Sequence, residues 1–238
     1  MENKIDEFIN LLNSSNNIVF FGGAGVSTES GIPDFRSKDG LYNQRYDYPP
    51  EQILSHTFFM KYTEEFYKFY KEKMNVLNYE PNITHQKLVD LEKNGNLKAI
   101  ITQNIDGLHQ KAGSKTVYEL HGSIHRNYCM KCNKFYDANY IFTSNSIPTC
   151  SCGGIIKPDV VLYEEGLDDS TWFNAISAIS KADMLIVAGT SLTVYPASSL
   201  INYYLGKKLV LINKDSTQYD SFANLVINDK LGNIFSKI

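Results

Sequence analysis

Residues 102–109 combine the side chains that a catalytic or binding site needs, namely amides, a carboxylate and a histidine, in the order Thr-Gln-Asn-Ile-Asp-Gly-Leu-His. They directly follow residues 98–101, a short apolar run that is typical of a buried strand. Polar side chains at the end of such a strand face the ligand crevice of an open α/β sheet, where they can hold a polar ligand and move a proton. Residues 104–107 taken alone are equally compatible with an Asx-rich turn.

A second candidate is His121, which ends the strand-like run 117–120 and precedes Gly122. A histidine at the carboxyl end of a strand, with a pKa near neutrality, is well suited to act as a general base. The alternative is a histidine whose hydrogen bonds are satisfied inside a turn. His85 lies in the first turn of a helix predicted over 84–93, so we expect a surface or capping histidine there.

The composition limits the function classes. With 238 residues, 43% of them hydrophobic, the chain can bury one large core or two modest ones. The net charge of -3 requires no basic face and argues against a nucleic-acid-binding protein. Apolar runs such as 18–21 and 184–188 are far shorter than the roughly 20 residues that span a membrane. Residues 1–6 lack the layout of a signal peptide, so we expect a cytoplasmic protein.

A glycine-rich turn follows the first predicted strand, residues 17–21. Residues 22–25, Gly-Gly-Ala-Gly, lead into a predicted helix start, and this arrangement presents backbone N–H groups to a phosphate. A dehydrogenase fingerprint would have a third glycine where Thr28 stands, and an acidic ribose ligand about 20 residues further on after a second strand. Residues 29–37 do not form such a strand. The pattern therefore favours a nucleotide site but not a hydride-transfer enzyme.

All four cysteines lie in one short stretch, as Cys129-x-x-Cys132 and Cys150-x-Cys152. In a reducing compartment this clustering indicates a four-cysteine zinc site rather than two disulfides. The single residue inside the second pair is unusual, and the two glycines that follow it would relax the backbone there. Four thiolates leave no coordination position for water, so we expect a structural metal rather than a catalytic one.

The closing third of the chain alternates helices and strands. Helices are predicted over 172–181 and 197–205, and strands over 184–188, 208–212 and 225–227. This alternation indicates parallel strands with crossover helices, as in a doubly wound α/β sheet. The loops 189–192 and 213–215 should then share a sheet edge with Gly23 and Gln103, where small hydroxyls suit a phosphate and an amide suits a ribose.

Other segments should build a smaller module beside this sheet. Two helices, over 51–60 and 63–75, fit the spacing of an aromatic-rich stretch. The segment between the cysteine pairs is too short for a core of its own and should depend on the metal to fold. The strand-like run 157–165 is expected to return to the main sheet.

Together these motifs closely resemble those of the sirtuins, a family of NAD-dependent protein-lysine deacylases. The resemblance rests on 23–27 (Gly-Ala-Gly-Val-Ser), 31–36 (Gly-Ile-Pro-Asp-Phe-Arg), 103–106 (Gln-Asn-Ile-Asp) and 121–122 (His-Gly), and extends from about residue 17 to the C-terminus. It implies a Rossmann-like, doubly wound parallel sheet formed by 1–37, 81–123 and 161–238. The smaller inserted module would comprise the helical segment 38–80 and the four-cysteine zinc segment 124–160.

The resemblance also implies the site residues. The catalytic residues would be His121, Asn104 and Asp106. The NAD contacts would be Gly23, Ala24, Gly25, Ser27, Thr28, Asp34, Phe35, Arg36, Gln103, Asn104, Ile105, Asp106, His121, Gly189, Thr190, Ser191, Asn213, Lys214 and Asp215. Val160, Val161, Leu162 and Tyr163 would pair with an extended substrate peptide, and Cys129, Cys132, Cys150 and Cys152 would hold zinc. The acyl oxygen would attack the ribose C1′, and O-acyl-ADP-ribose, nicotinamide and free lysine would leave.

Two positions depart from the family pattern. Residues 67–70, Tyr-Lys-Phe-Tyr, lack the Tyr-x-x-Arg pair of members that resemble desuccinylases, which favours neutral acyl groups. Glu164 stands where the family often has glycine. Its carboxylate would favour substrates with nearby basic residues, or it is a solvated loop charge.

Two other function classes share these features. An NAD-consuming ADP-ribosyl transferase would use the same NAD site with a different acceptor, and a non-catalytic NAD-sensing protein would use the zinc module to hold a partner. As partners we expect acylated-lysine peptides or proteins, with neither sequence-specific nucleic acid nor a membrane, and we expect a monomer.

Overall fold

The computed structural model describes residues 2–35, 40 and 47–238. Its strands are β1 (Ile18–Gly22), β2 (Leu97–Thr102), β3 (Val117–Glu119), β4 (Gly122–Cys129), β5 (Phe135–Tyr136), β6 (Ile156–Val160), β7 (Met184–Ala188), β8 (Leu209–Asn213) and β9 (Leu225–Asn228). In the described chain the larger sheet is parallel throughout, with the order β3-β2-β1-β7-β8-β9. The predicted doubly wound parallel sheet is therefore confirmed.

Helices cover both faces of this sheet. They are α1 (Glu2–Asn13), α2 (Pro50–Ile53), α3 (His56–Lys61), α4 (Thr63–Lys73), α5 (Ile83–Lys93), α6 (Leu108–Ala112), α7 (Ala138–Thr143), α8 (Asp169–Lys181) and α9 (Leu231–Phe235). Helices α1, α5 and α9 pack on one face, and α8 with the 3₁₀ segment Ala197–Tyr203 packs on the other. Because both faces are covered, β1, β7 and β8 are buried along their whole length. Among the described helices, none is both long and apolar enough to cross a membrane.

The strand order reverses between β1 and β7. Strands β2 and β3 extend the sheet to one side of β1, and β7 to β9 extend it to the other. In open α/β sheets, ligands bind outside the carboxyl ends of the strands at such a point. The loops after β1, β2, β7 and β8 carry most of the predicted site residues, so the topology brings those residues to one edge.

A second, antiparallel sheet has the order β5-β4-β6. Its buried side chains form one apolar cluster with α3 and α4, which includes Phe59, Phe66, Ile141 and Ile156. The prediction that residues 157–165 return to the main sheet was wrong, because β6 pairs with β4. An extended apolar pattern indicates a strand but does not say which sheet the strand joins.

The predicted helix over 51–60 is interrupted near its centre. Ser55 has extended dihedral angles (φ -97°, ψ 153°), and its side chain accepts the Phe58 N–H at 3.1 Å. An N-cap residue requires non-helical dihedrals, so the serine that starts α3 also separates it from α2. The predicted helix over 197–205 was also wrong in type, because the chain there forms a 3₁₀ segment that ends at Tyr203.

Candidate active site

A buried cluster of three polar side chains lies where the loops after β1 and β2 meet. Ser27 Oγ donates to Asp106 Oδ2 at 2.6 Å, and Asn104 Nδ2 donates to Ser27 Oγ at 3.1 Å. The other carboxylate oxygen, Asp106 Oδ1, accepts the Leu108 N–H at 2.9 Å. Burial raises the pKa of Asp106, while the hydrogen bonds from Ser27 and Leu108 act in the opposite direction. The cluster joins two residues predicted to be catalytic to one predicted to bind NAD.

The backbone of this turn is held by His125, which sequence reasoning missed. His125 Nε2 lies 3.0 Å from the Asp106 carbonyl and donates to it, because a carbonyl oxygen can only accept. The ring covers Gly107, which has a φ of 72°, and a Cβ there would lie 2.6 Å from the ring. Nothing in the local sequence marks His125, because its role depends on the approach of a loop that is distant along the chain.

His121 follows β3, and one hydrogen bond defines its ring orientation. His121 Nδ1 lies 3.0 Å from the Gln103 carbonyl, so Nδ1 carries the proton. In the neutral ring, Nε2 is then the nitrogen that can accept a proton. Burial lowers the pKa of His121, and the bond to Gln103 partly opposes this effect. The imidazole is therefore neutral near neutral pH, as a general base requires.

Glycines allow the loops after β1 and β7 to touch. A Cβ on Gly23 would lie 2.8 Å from Thr190 Cβ, and a Cβ on Gly25 would lie 2.7 Å from Gly189 Cα. Gly25 donates its N–H to the Gly189 carbonyl at 2.8 Å, and Gly23 donates to the Ala188 carbonyl at 3.3 Å. Two of the amides that we expected to face a phosphate are therefore used inside the protein, and close loop packing is a second reason for these glycines.

A line of polar side chains crosses the carboxyl edge of the sheet from β2 to β8. Gln103 Nε2 donates to Thr190 Oγ1 at 3.0 Å, and the Thr190 N–H donates to Asn213 Oδ1 at 2.9 Å. The other amide atom, Asn213 Nδ2, is buried and has no hydrogen-bond partner among the described residues. An unpaired buried donor is unfavourable unless a ligand or a water molecule accepts a hydrogen bond from it.

The other residues predicted to contact NAD have different surroundings. Thr28 Oγ1 donates to the Gly25 carbonyl at 3.0 Å. Ala24 begins the first 3₁₀ segment, Asp34 is half-buried, and Ser191, Lys214 and Asp215 are exposed at the sheet edge. Ile105 and Phe35 pack against the apolar cluster of the smaller sheet. Arg36 lies outside the described residues.

The predicted substrate segment, residues 160–163, is bonded to the loop that carries His121. The Val161 N–H donates to the His121 carbonyl at 3.0 Å. Tyr163 makes two backbone hydrogen bonds to the turn before α3, donating to Leu54 and accepting from His56, each at 2.9 Å. The backbone of this segment is therefore already held in an extended form, and a substrate strand would have to use its remaining groups or exchange these bonds.

The two acidic residues after this segment have different surroundings. Glu165 accepts from His56 Nδ1 at 2.9 Å and from Lys157 Nζ at 3.0 Å. Glu164 has a φ of 76° and accepts the Thr57 N–H at 2.8 Å. The carboxylate that replaces the family's usual glycine thus caps the first turn of α3, while it remains exposed to solvent.

The four cysteines predicted to bind zinc converge, with all four Sγ atoms within 4.8 Å of one another. The Sγ atoms of Cys129 and Cys152 are 3.5 Å apart, and those of Cys132 and Cys150 are 3.6 Å apart. Zn–S bonds of about 2.3 Å in a tetrahedron put sulfurs roughly 3.8 Å apart, so the thiols fit zinc. A Cβ on Gly154 would lie 2.6 Å from Cys129 Sγ, which explains why glycine follows the second pair.

Two further histidines are buried beneath the site. The ring centroids of His85 and His109 are 4.8 Å apart, and both side chains are buried. His85 Nδ1 accepts the Asn82 N–H at 3.3 Å and completes a capping box at the start of α5. The predicted capping role of His85 is confirmed, but the alternative of a surface position was wrong, because α5 packs this face against α6.

Comparison with known proteins gives matches along the whole chain. A sequence model described as the Sir2 family matches residues 23–196. An NAD-dependent protein deacetylase of Clostridium perfringens is 61% identical over 242 residues, which cover 100% of this chain and 99% of that protein. An NAD-dependent protein deacetylase of Clostridium acetobutylicum is 60% identical over 239 residues, with 99% and 98% covered.

Solved structures match to the same extent. A structure of Sir2 with a p53 peptide and NAD+ has a TM-score of 0.87 and 40% identity, with 98% of this chain and 96% of that chain covered. A structure of Sir2 bound to an acetylated peptide has a TM-score of 0.86 and 38% identity, with the same coverage. The similarity therefore includes both the parallel sheet and the zinc segment.

Proposed function

Because the chain belongs to the Sir2 family, we propose that it is an NAD-dependent protein-lysine deacetylase that transfers the acyl group to ADP-ribose and releases nicotinamide. The observation that carries this proposal is His121, a neutral imidazole whose Nδ1 is fixed by the Gln103 carbonyl. The His121 carbonyl accepts from Val161 of the substrate segment, and the His121 ring bonds to Gln103, on the loop that carries the buried Asp106 cluster. The names of the matched relatives support the same activity.

The residues at the sheet edge fit NAD. Asn213 Nδ2 is a buried donor without a described partner, and the other amide atom, Asn213 Oδ1, accepts the N–H of Thr190, which precedes the exposed Ser191. Asn213 with Lys214 and Asp215 would hold the adenosine half. Ala24 and Ser191 would hold the diphosphate, with Gly25 beside it, because the Gly25 N–H already donates to the Gly189 carbonyl. NAD supplies a ribose C1′ that becomes electrophilic when its bond to nicotinamide breaks.

Asn104 and Asp106 would hold the carboxamide of nicotinamide. Ser27 fixes both side chains before any ligand arrives, and Asp106 is further fixed by the Leu108 N–H. Polar groups that are already oriented in a buried site reorganise little during reaction. They can therefore stabilise the change in charge distribution as the glycosidic bond breaks. This cluster would therefore favour cleavage of the glycosidic bond rather than only bind NAD.

His121 would act as the general base. Its Nε2 would accept a proton from a ribose hydroxyl. Its Nδ1–H would keep the bond to the Gln103 carbonyl while the ring is positively charged, and hydrogen bonds of charged donors are the stronger ones. Because Val161 donates to the His121 carbonyl, the base and the substrate segment are held together.

The acyl group would be neutral. Residues 67–70 contain no arginine, and Tyr67 and Tyr70 are both buried in the apolar cluster. Burial raises the pKa of both tyrosines, so neither supplies a charge. An acidic acyl chain would find no arginine three residues after Tyr67, where Tyr70 stands.

The remaining expectations stay proposals. Structural zinc would hold the segment between the cysteine pairs, whose thiols are not joined by disulfides. Free thiols suit a reducing compartment, which supports a cytoplasmic location. The division into 1–37, 81–123 and 161–238 against 38–80 and 124–160 is supported by the apolar cluster shared by α3, α4 and β6. A monomer remains a prediction.

Mass spectrometry of an acetyl-lysine peptide, incubated with the zinc-loaded protein with and without NAD, tests the proposed activity. We expect loss of the acetyl group only with NAD, together with O-acetyl-ADP-ribose and nicotinamide. An intact peptide with free nicotinamide would support an ADP-ribosyl transferase or an NAD hydrolase instead. An intact peptide with intact NAD, repeated with longer neutral acyl groups, would support a non-catalytic NAD-sensing protein.

A further inference from the structure

The side chain of Arg126 lies between two carboxylates from different sheets. Its terminal Nη1 is 2.6 Å from Glu119 Oε2, and its Nε is 2.7 Å from Asp159 Oδ2. Glu119 ends β3 of the parallel sheet, Asp159 lies in β6 of the antiparallel sheet, and Arg126 lies in β4. One guanidinium group therefore connects the two sheets.

Each partner of Arg126 is close along the chain to a part of the proposed site. Glu119 lies two residues before His121, and Asp159 directly precedes Val160, where the substrate segment begins. Only a few covalent bonds separate Glu119 from His121, and Asp159 from the substrate segment. A movement of the guanidinium group would therefore shift both His121 and the substrate segment.

The backbone pairing is interrupted at this place. Strand β4 pairs with β6 at Gly122 and Ser123, and again from Asn127 onward, with a shift of register between them. Arg126 lies in the interruption of β4, and its side chain bonds to Asp159, whose backbone pairs with Ser123 at the start of the interruption. The bond therefore connects an unpaired part of β4 to β6. A bulge of this kind reorients side chains, and such bulges are frequent beside active sites.

The geometry requires an arginine in particular. The two bonds use different nitrogens of one planar group, Nη1 and Nε, which a lysine ammonium cannot reproduce. Glu119 has a side-chain exposure of only 8%, whereas those of Arg126 and Asp159 are 40% and 43%. Removal of the guanidinium would leave the Glu119 carboxylate buried without its cationic partner, which favours a rearrangement of the β3 end.

We propose that Arg126 is a positioning residue that holds the substrate segment in register with His121, through Asp159 on one side and Glu119 on the other. This inference rests on the proposed deacetylase activity. Arg126 itself does not contact the reacting groups. Its loss should act on the use of the acyl peptide more than on the use of NAD, because most of the proposed NAD contacts lie on the loops after β1, β2, β7 and β8, which carry neither Glu119 nor Asp159.

The test compares steady-state kinetics and thermal unfolding of the zinc-loaded wild type with Arg126→Gln, Arg126→Lys, Asp159→Asn and the double variant Arg126→Gln/Asp159→Asn. Lys111→Gln is the control, because Lys111 has the same side-chain exposure of 40% and also forms an ion pair, with Glu80. We expect Arg126→Gln to raise KM for the acetyl peptide about tenfold and to lower kcat, with KM for NAD nearly unchanged. Arg126→Lys should raise KM for the acetyl peptide and lower kcat less than Arg126→Gln does, but it should not reach the wild-type values.

The double variant identifies the route of the effect. If Arg126 acts through Asp159, the double variant should raise the peptide KM little more than Arg126→Gln alone. Fully additive effects would contradict the proposed coupling. An Arg126→Gln variant that lowers the melting temperature but keeps the kinetic constants of Lys111→Gln would also overturn the inference, since the ion pairs would then be merely structural. A wild type that does not deacetylate the peptide would instead contradict the proposed function, and the inference would fall with it.

Discussion

Replacing His85 with glutamine should make the fold less sensitive to acid. Burial lowers the pKa of His85 from 6.5 to about 4. The pKa of His109 is also lowered, first by burial and then by the nearby His85. The unfolded chain therefore binds protons at a higher pH than the folded protein. It follows that this contribution to stability is complete above pH 6.5 and is lost as the pH falls from 6.5 toward about 4.

The pKa values of His85 in the unfolded chain, 6.5, and in the folded protein, about 4, give the size of the effect. One pKa unit corresponds to about 1.4 kcal/mol, so complete protonation of His85 would reduce the free energy of unfolding by roughly 3 kcal/mol. At pH 5 the unfolded histidine is nearly all protonated and the folded one nearly all neutral, which gives a loss of about 2 kcal/mol relative to pH 7.5. Glutamine does not titrate, and it can still accept the Asn82 N–H as the third residue of a capping box.

Urea unfolding followed by circular dichroism at pH 7.5 and pH 5 measures this difference. Between the two pH values, the wild type should lose about 2 kcal/mol more than His85→Gln. His56→Gln is the control, because it makes the same substitution at a histidine whose side chain is 47% exposed. Equal losses in the wild type and His85→Gln would refute the reasoning.

Three further predictions follow from the site. Ser27→Ala leaves Asp106 Oδ2 and the Asn104 amide without a partner in a buried place, so kcat/KM for NAD should fall about tenfold to a hundredfold; an unchanged value in steady-state assays would contradict this. Cys129→Ser should release zinc, measured by metal analysis, and unfold the small module; a soluble, active, metal-free variant would show that zinc is dispensable. Because burial lowers the pKa of His121, the acid limb of the wild-type pH–kcat/KM profile should lie below pH 6.5; a limb above that pH would show that another group limits the rate.

The parts of the fold that are local in sequence could be predicted. Apolar runs indicate the central strands, because a strand buried on both faces needs no polar residues. The cysteine spacing indicates the zinc site, since the ligands come from two short knuckles of one segment. The loops after β1, β2, β7 and β8 could be assigned to one edge because parallel strands all end at the same edge of a sheet.

The features that depend on packing between distant segments could not be predicted. The sequence of β6 does not specify its partner, and the helical position of His85 does not say which neighbour covers that face. His125 and Arg126 were missed for the same reason, since their partners Asp106, Glu119 and Asp159 lie on other strands or loops. The sequence around Ser55 did carry a signal, because a serine is a good N-cap, yet the surrounding helical periodicity predicted one continuous helix.

The most direct measurement is the turnover of an acetyl-lysine peptide by His121→Ala beside the wild type, with NAD in both samples. We expect the variant to keep its zinc content and melting temperature, because the His121 side chain makes one hydrogen bond, to Gln103, among the described residues. Deacetylation should fall by at least about a hundredfold, the usual contribution of a general base. Deacetylation at the wild-type rate by the folded variant would contradict the assignment of His121 as the base, and with it the central claim.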